Sequence, residues 1–191
     1  GMPTLVANHI PKDVNVILQS ENGMLGMGPF PLEGEEDADL INAGTQFVTP
    51  TPGISFFNSS DSFNMIRGGH LDITVLGGFQ VSEKGDLANW MIPSRGSGNI
   101  GGAMELVSAT KKVIVAMEHT TRSGDPKLVE NCSYPLTGKH CVDMVITDLA
   151  VVEVGIEGFT LTEVAPGYTA EEIQSVTSAR LKISPHLREI Q

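Results

Sequence analysis

Residues 14–29 of this chain read VNVILQSENGMLGMGP. The apolar, β-branched start of the stretch, residues 14–18, predicts a short buried strand. The polar residues that follow, with Asn22 and Gly23 in sequence, predict a tight turn at the end of that strand. In open α/β sheets ligands bind beyond the carboxyl ends of the strands, so Glu21 is placed to act as a nucleophile or a base. An isolated Glu-Asn-Gly, however, is more often a solvated glutamate beside a hairpin turn.

Outward from this turn, extended and helical patterns alternate along the chain. Strands are predicted at residues 71–76, 113–117, 145–154 (interrupted near Asp148) and 159–164, and helices at residues 60–67, 103–110 and 169–177. Ser60 or Asp61 can cap the first helix, and Thr169 with Glu172 forms a capping box for the last. The alternation predicts an α/β fold in one domain, with an open, mostly parallel sheet and helices on both faces. A hairpin loop at residues 155–158 makes the sheet mixed.

Composition excludes several classes of protein. The 191 residues include 40% hydrophobic and 18% charged residues, which is enough apolar material for a folded core. The formal charge of −11 repels nucleic-acid phosphates, and no apolar run is long enough to span a membrane. Neither the two cysteines, Cys132 and Cys141, nor the five histidines have the spacing of metal ligands, so no metal site is expected. Two ordinary thiols fit a reducing compartment.

The stretch LQSENGMLGMGP at residues 18–29 is accompanied by further segments in a fixed order. They are DLINAG (39–44), DSF (61–63), MIRGGH (65–70), QVS (80–82), GDLANWMIP (85–93), GGAM (101–104), MEH (117–119) and PLTG (135–138). Together these motifs resemble the β subunit of the 3-oxoacid CoA-transferase family over about residues 2–165. Many motifs in register make this resemblance specific, which no single motif would be.

The resemblance implies a CoA-transferase type fold and a ping-pong exchange of CoA between an acyl-CoA (succinyl-, acetyl- or butyryl-CoA) and a 3-oxo acid such as acetoacetate. Glu21 matches the family's nucleophile, which forms an acyl-glutamyl anhydride and then a glutamyl-CoA thioester. The backbone N–H of Gly102 matches the oxyanion donor, and a second donor comes from the partner, the CoA-transferase α subunit. The family pattern further implies an α2β2 assembly and no cofactor beyond the CoA substrate. A cytoplasmic location is expected from the two unpaired thiols. The acid pair stays open, since acetoacetate with succinate, acetate or butyrate, and 3-oxoadipate, all fit.

Contacts to substrate and CoA are expected from polar residues and glycines near these motifs: Asn22, Gly26, Gly28, Gly77, Gly78, Gln80, Asn89 and Gly101. For Gln80 and Asn89, ordinary hydrogen bonding within loops is an equally good interpretation. The negative charge of the chain conflicts with the phosphates of CoA, so either local donors or a basic site on the α subunit must hold them.

Two other functions are open. GSGNIG at residues 96–101 is a literal Gly-x-Gly-x-x-Gly, and Glu118 follows at about the distance of a ribose-binding acid, which is typical of a Rossmann-type NAD-binding oxidoreductase. That fingerprint should follow a buried strand directly, and Pro93 interrupts the strand here. The other possibility is a non-catalytic CoA-binding subunit, which would bind CoA without a covalent adduct.

The sequence departs from the family pattern at three places. Arg95 stands in the glycine loop where the family has lysine, and Thr45 stands where many members have lysine. Family members also have a helix and a strand before the segment that matches residues 2–7. The single domain, residues 1–191, is therefore expected to lack that first helix and strand.

Overall fold

Tertiary contacts divide the chain into two units, one up to His70 and the other from Leu71 on. The computed structural model describes residues 2–11 and 13–190. Gly1, with which the chain begins, lies outside the described residues. That the chain forms a single domain lacking a first helix and strand stays a prediction.

The first unit is built around a small antiparallel sheet. Its helices are α1 (Met2–Leu5) and α2 (Ser59–Arg67), with a 3-10 turn at Val6–His9, and its strands are β1 (Gln19–Ser20), β2 (Met24–Met27) and β3 (Pro50–Phe56). Strands β1 and β2 form a hairpin, and β2 pairs antiparallel with β3. The sheet thus carries the Ser-Glu-Asn-Gly turn on its first hairpin.

The prediction of a buried strand at residues 14–18 was wrong. The segment has no regular structure, and Val14, Val16 and Ile17 are 49%, 49% and 69% exposed. An apolar run is buried as a strand only where a neighbouring strand pairs with it and another layer covers it. Among the described residues no strand pairs with this segment, and the hairpin strand begins only at Gln19.

Helix α2 begins slightly before the predicted cap region. Asn58, rather than Ser60 or Asp61, is the N-cap, and its side-chain oxygen accepts the Asp61 N–H at 2.9 Å. The helix ends at Arg67, as predicted, with Gly68 as its C-cap, and Ile66 is fully buried. Asparagine is among the preferred N-cap residues, so the sequence does contain a cap signal at Asn58, before the predicted start of the helix at Ser60.

The second unit contains a six-stranded sheet in the order β12-β11-β10-β9-β7-β4 and a small sheet in the order β6-β5-β8. The strands are β4 (Ile73–Leu76), β5 (Gln80–Ser82), β6 (Leu87–Ala88), β7 (Lys112–Ala116), β8 (Leu128–Val129), β9 (Met144–Ile146), β10 (Ala150–Gly155), β11 (Gly158–Val164) and β12 (Leu181–Glu189). In the large sheet, β4, β7 and β9 run parallel, as do β11 and β12, while β10 is antiparallel to both of its neighbours. The mixed α/β fold is therefore confirmed.

The main hydrophobic core lies in this second unit. Valines from β5, β7, β9 and β10 and leucines from β6 and β8 pack with Phe159 and Leu161 of β11, both fully buried. Complete burial of such side chains contributes about 1.5–3 kcal/mol each. Helix α3 (Ala103–Ala109) adds Val107, and α4 (Ala170–Ser175) adds Ile173 and carries the predicted capping box.

Strand β12 was not predicted. It contains Pro185, His186 and several charged residues, and its burial pattern lacks the regular alternation of a half-buried strand. Among the described strands it pairs with β11 alone, at the edge of the sheet, where proline and charge are tolerated. Among the described residues, no helix is long and apolar enough to cross a membrane.

Candidate active site

The turn that carries Glu21 requires glycine at its end. Gly23 donates its N–H to the Ser20 carbonyl at 3.0 Å and closes the turn between β1 and β2. Its φ is +126°, and a Cβ added there would lie 2.1 Å from the carbonyl oxygen of Phe57. The Phe57 N–H in turn donates to the Gly23 carbonyl at 3.0 Å. The sequence therefore fixes this turn against the end of β3.

The residues on either side of Glu21 bind one neighbouring loop. Ser20 is 4% exposed, and its Oγ accepts the Ala43 N–H at 2.9 Å. The Nδ2 of Asn22 donates to the Ile41 carbonyl at 2.6 Å. Glu21 itself is half-buried. Glu21 thus lies on a turn that is held on both sides, and as a residue it is partly shielded from solvent.

Gly26 and Gly28 are explained by the close approach of β2 to the residues around β3. Gly26 has a φ of +93°, and its carbonyl accepts the Thr51 hydroxyl at 2.6 Å. A Cβ at Gly28 would lie 2.7 Å from the Oγ1 of Thr49. Both glycines are required by packing, and their contact with CoA stays a prediction.

The candidates of the second unit lie around the small sheet. The Gln80 side-chain oxygen accepts the N–H groups of Ser133 and Tyr134 at 2.8 and 3.2 Å. Asn89 donates to the Gly77 carbonyl at 3.1 Å and accepts the Thr137 hydroxyl at 2.6 Å. These bonds, most of them to the segment around residues 133–137, give both side chains a structural role, which is the interpretation that competes with ligand contact.

Gly78 is also constrained by packing. A Cβ there would lie 2.7 Å from a methyl carbon of Val115, which is fully buried. The structure accounts for a glycine at this position without a ligand, and contact of Gly77 and Gly78 with CoA stays a prediction.

Gly101 and Gly102 lead into helix α3. Gly101 has a φ of +50°, and its N–H donates to the Asn99 side chain at 3.0 Å. Gly102 is buried and is the N-cap, and its carbonyl accepts the Leu106 N–H at 3.1 Å. Within the described part of the chain no acceptor receives the N–H of Gly102. A buried donor of this kind can stabilise an oxyanion, and that role stays a prediction.

The glycine loop does not have the geometry of a dinucleotide site. Gly96 follows a 3-10 turn at Pro93–Arg95, and Met91 makes only an isolated bridge, to Gly98. The Rossmann fingerprint requires a buried strand that leads directly into the first glycine. The interruption at Pro93 that the sequence indicated is therefore present in the fold.

His119 was named in a motif, but its environment was not predicted. The side chain is fully buried, and its ring nitrogens lie 2.9 Å from the Thr147 hydroxyl and 2.8 Å from the Thr177 hydroxyl. Burial lowers the pKa of His119, and the charge of Asp148 opposes this shift. His119 follows β7, Thr147 follows β9 and Thr177 follows α4. A neutral His119 that is hydrogen-bonded to both threonines therefore links the ends of these three elements.

No cluster of three or more potential metal ligands occurs among residues 2–11 and 13–190. Both cysteines are free, and burial raises the pKa of the Cys132 and Cys141 thiols to about 11. A thiol that stays protonated at neutral pH is a poor nucleophile. Glu21, a half-buried residue whose carboxylate is ionised at neutral pH, is the better candidate for covalent chemistry.

Comparison with known proteins agrees with this site. The coenzyme A transferase family model matches residues 1–175. The B subunit of a probable succinyl-CoA:3-ketoacid coenzyme A transferase of Bacillus subtilis is 55% identical over 184 residues, which cover 96% of this chain and 85% of that protein. The B subunit of the 3-oxoadipate CoA-transferase of Pseudomonas putida is 54% identical over 182 residues, covering 95% of this chain and 85% of that protein.

Two further similar proteins are far longer, and this chain covers little more than a third of each. The mitochondrial succinyl-CoA:3-ketoacid coenzyme A transferase 2B of Mus musculus is 52% identical over 193 residues, and the chain covers only 37% of it. The crystal structure of the acyl-CoA transferase YdiF from Escherichia coli O157:H7 matches with a TM-score of 0.70 at 20% identity, over 92% of this chain and 35% of that one. The fold is thus that of the α/β CoA-transferases.

The chain belongs to the coenzyme A transferase family, and within it to the β subunits of the 3-oxoacid CoA-transferase type. It is therefore a CoA transferase, and the NAD-binding alternative finds no support in the fold or in the relatives.

Proposed function

We propose that this chain is the catalytic subunit of a 3-oxoacid CoA-transferase and that Glu21 carries CoA as a thioester. The observation that supports this most directly is the half-buried Glu21 on a turn fixed by Gly23 and by both flanking side chains. A carboxylate is ionised at neutral pH and needs no general base before it attacks.

The exchange follows from that nucleophile in balanced steps. The Glu21 carboxylate attacks the acyl carbon of the acyl-CoA, the C–S bond breaks, and an acyl-glutamyl anhydride and the CoA thiolate result. The thiolate then attacks the glutamyl carbonyl of the anhydride, which releases the carboxylate of the first acid and leaves a glutamyl-CoA thioester. A second carboxylate reverses both steps and departs as its CoA ester.

Each attack creates a tetrahedral intermediate with a negative oxygen. We assign the buried N–H of Gly102 as one donor to that oxygen, and removal of one such donor typically costs about 10²–10³ in rate. The second donor is assigned to the partner, as the family pattern implies. The cations that balance the CoA phosphates are also assigned to the partner, because this chain carries a formal charge of −11.

The partner is a CoA-transferase α subunit, in an α2β2 assembly. Two of the relatives are named as the B subunit of their enzyme, and the mouse protein, of which this chain covers 37%, is long enough to hold a second segment of similar size. The first unit also exposes large apolar side chains, with Ile17, Leu32 and Phe56 at 69%, 71% and 60%. Exposed apolar surface of this kind marks a contact with another protein.

The substrates are an acyl-CoA and a 3-oxo acid. The names of the relatives include 3-ketoacid and 3-oxoadipate enzymes at nearly equal identity, so identity alone does not choose between a short acid and a dicarboxylic one. An acid-specificity panel on the reconstituted complex, with acetoacetate and 3-oxoadipate as acceptors, decides it. A cytoplasmic location is proposed from the two free thiols.

The decisive experiment is to weigh the chain after reaction. The complex with its α subunit is incubated with succinyl-CoA or acetoacetyl-CoA without acceptor, quenched in acid and analysed by mass spectrometry. The expected result is a mass gain of CoA less one water on the peptide that contains Glu21, absent in Glu21→Gln. An active complex whose chain stays unmodified would refute the assignment, and CoA binding without activity or adduct would favour a non-catalytic subunit.

A further inference from the structure

We propose that Ser20 and Asn22 form a two-point clamp that positions the nucleophile by holding its turn against the loop at residues 41–46. This inference rests on the proposed function, since it identifies the residues that position Glu21 as the nucleophile. Ser20 and Asn22 are positioning residues, and the clamp is distinct from a role of Asn22 in binding substrate.

The two bonds of the clamp have opposite polarity. Ser20 accepts, through its Oγ, from the Ala43 N–H at 2.9 Å, and Asn22 donates, through its Nδ2, to the Ile41 carbonyl at 2.6 Å. Because the residues immediately before and after Glu21 are both bound to this loop, a displacement of the Glu21 backbone away from the loop would strain or break these bonds.

The loop that receives the clamp is itself ordered by its own bonds. The Asn42 side-chain oxygen accepts the N–H groups of Gly44 and Gln46 at 2.9 and 3.1 Å, and the Asn42 N–H donates to the Gln46 carbonyl at 2.9 Å. Asn42 is only 9% exposed. The loop therefore presents the Ile41 carbonyl and the Ala43 N–H as fixed groups.

A third contact holds the start of the same hairpin. The Gln19 side chain donates to the Oγ of Ser62 in α2 at 2.6 Å. The clamp binds the hairpin to the loop, the Gln19 contact binds it to α2, and the bond between Gly23 and Phe57 binds it to the end of β3. A nucleophile needs such support because misplacement by about 1 Å can cost roughly 10²-fold in rate.

The polarity of the clamp allows a matched pair of substitutions. Asn22→Asp replaces the donor to the Ile41 carbonyl with an oxygen, so an attraction becomes a repulsion at nearly constant shape. Asn42→Asp keeps an oxygen acceptor for Gly44 and Gln46, because the hydrogen bonds of this side chain use its Oδ1. Both variants add one negative charge within the same turn-and-loop region, and only the first breaks the clamp.

The experiment measures single-turnover formation of the Glu21 thioester in the complex with the α subunit, with succinyl-CoA or acetoacetyl-CoA as the probe that the wild type accepts. We expect Asn22→Asp to lower the saturating rate constant of thioester formation by roughly 10–10²-fold, with the half-saturating acyl-CoA concentration changed less than about 3-fold. Asn42→Asp should stay within about 3-fold of wild type in both quantities. Asn22→Ala, which adds no charge, should shift the rate in the same direction as Asn22→Asp. It also serves where the charged variant fails to fold.

The melting temperature distinguishes a variant that mispositions Glu21 from a variant that destabilises the fold. Asn22 is exposed, so its variants should melt close to wild type while the thioester forms slowly. Equal rates in Asn22→Asp and wild type, or equal slowing by Asn22→Asp and Asn42→Asp, would overturn the clamp. Absence of any thioester in the wild-type complex would instead refute the proposed function, so the two failures are distinguishable.

Discussion

Replacement of His119 by glutamine should change how the stability of the chain depends on pH. In the fold, the Thr147 hydroxyl oxygen already accepts the N–H groups of Leu149 and Ala150 at 3.1 and 2.9 Å. Its proton can be donated either to the Ala150 carbonyl at 3.1 Å or to the Nδ1 of His119 at 2.9 Å, and we assign it to the nearer acceptor, Nδ1. The Thr177 hydroxyl donates to the Ile173 carbonyl at 2.8 Å, so its oxygen accepts the Nε2–H of the ring. We assign this neutral tautomer, whose two bonds would be lost or altered on protonation.

The sign of the effect follows from the lowered pKa. The unfolded chain binds a proton at His119 below about pH 6.5, whereas the folded chain does not until the pH falls further. Wild-type stability is therefore fully present above pH 6.5 and declines below it, by at most about 1.4 kcal/mol per pH unit from this group. A glutamine does not titrate, so it removes this part of the pH dependence.

The assay is denaturant unfolding of the purified chain at a series of pH values from 8 to 5.5, with His119→Gln as the variant. At high pH the variant should be less stable by about 1–2 kcal/mol, the typical effect of disturbing one or two buried hydrogen bonds. That difference should shrink as the pH falls below 6.5, while the titration of other groups cancels in the comparison. A difference that is constant or grows towards low pH would refute the neutral, buried histidine.

Three other predictions test the turn, the donor and the thiols. Gly23→Ala should destabilise the first unit and suppress thioester formation, because the added Cβ would lie 2.1 Å from the carbonyl oxygen of Phe57. Gly34→Ala is the control: Gly34 has a φ of +87° and open space around it, so this variant measures the cost of backbone strain alone, about 1 kcal/mol. Gly102→Pro, which removes the N–H, should lower kcat by about 10²–10³, whereas Gly102→Ala keeps the N–H and should retain most activity. Alkylation of Cys132 and Cys141 by iodoacetamide should be slow at pH 7.5 and accelerate about tenfold per pH unit towards pH 10, because their pKa is about 11; fast labelling at neutral pH would contradict that environment.

Features with a complete local signal could be predicted from the sequence. The capping box of Thr169 and Glu172 is present in α4, and the apolar run after Lys111 and Lys112 forms the buried strand β7. The turn at Glu21 was also predicted, because Asn-Gly between extended segments specifies a tight turn without help from the rest of the chain. In each case the information that determines the element lies within about ten residues.

Features that depend on distant residues could not be predicted. The partners of His119 are 28 and 58 positions away, and those of Ser20 and Asn22 are 23 and 19 positions away. Nothing in the spacing of the sequence relates them. The CoA-transferase motifs named most of these residues, but a motif gives the residue types and not the contacts that require them.

The wrong prediction at residues 14–18 has a physical meaning that agrees with the proposed assembly. An apolar, β-branched run indicates that a surface should be covered, and it does not indicate which chain covers it. In this chain Val14, Val16 and Ile17 stay exposed, and they lie directly before the hairpin that carries Glu21. Exposed apolar residues next to a nucleophile are costly for a chain in isolation and reasonable for one that works against a partner. The same segment that contradicts a strand prediction for the single chain therefore supports the proposal that the active enzyme contains an α subunit.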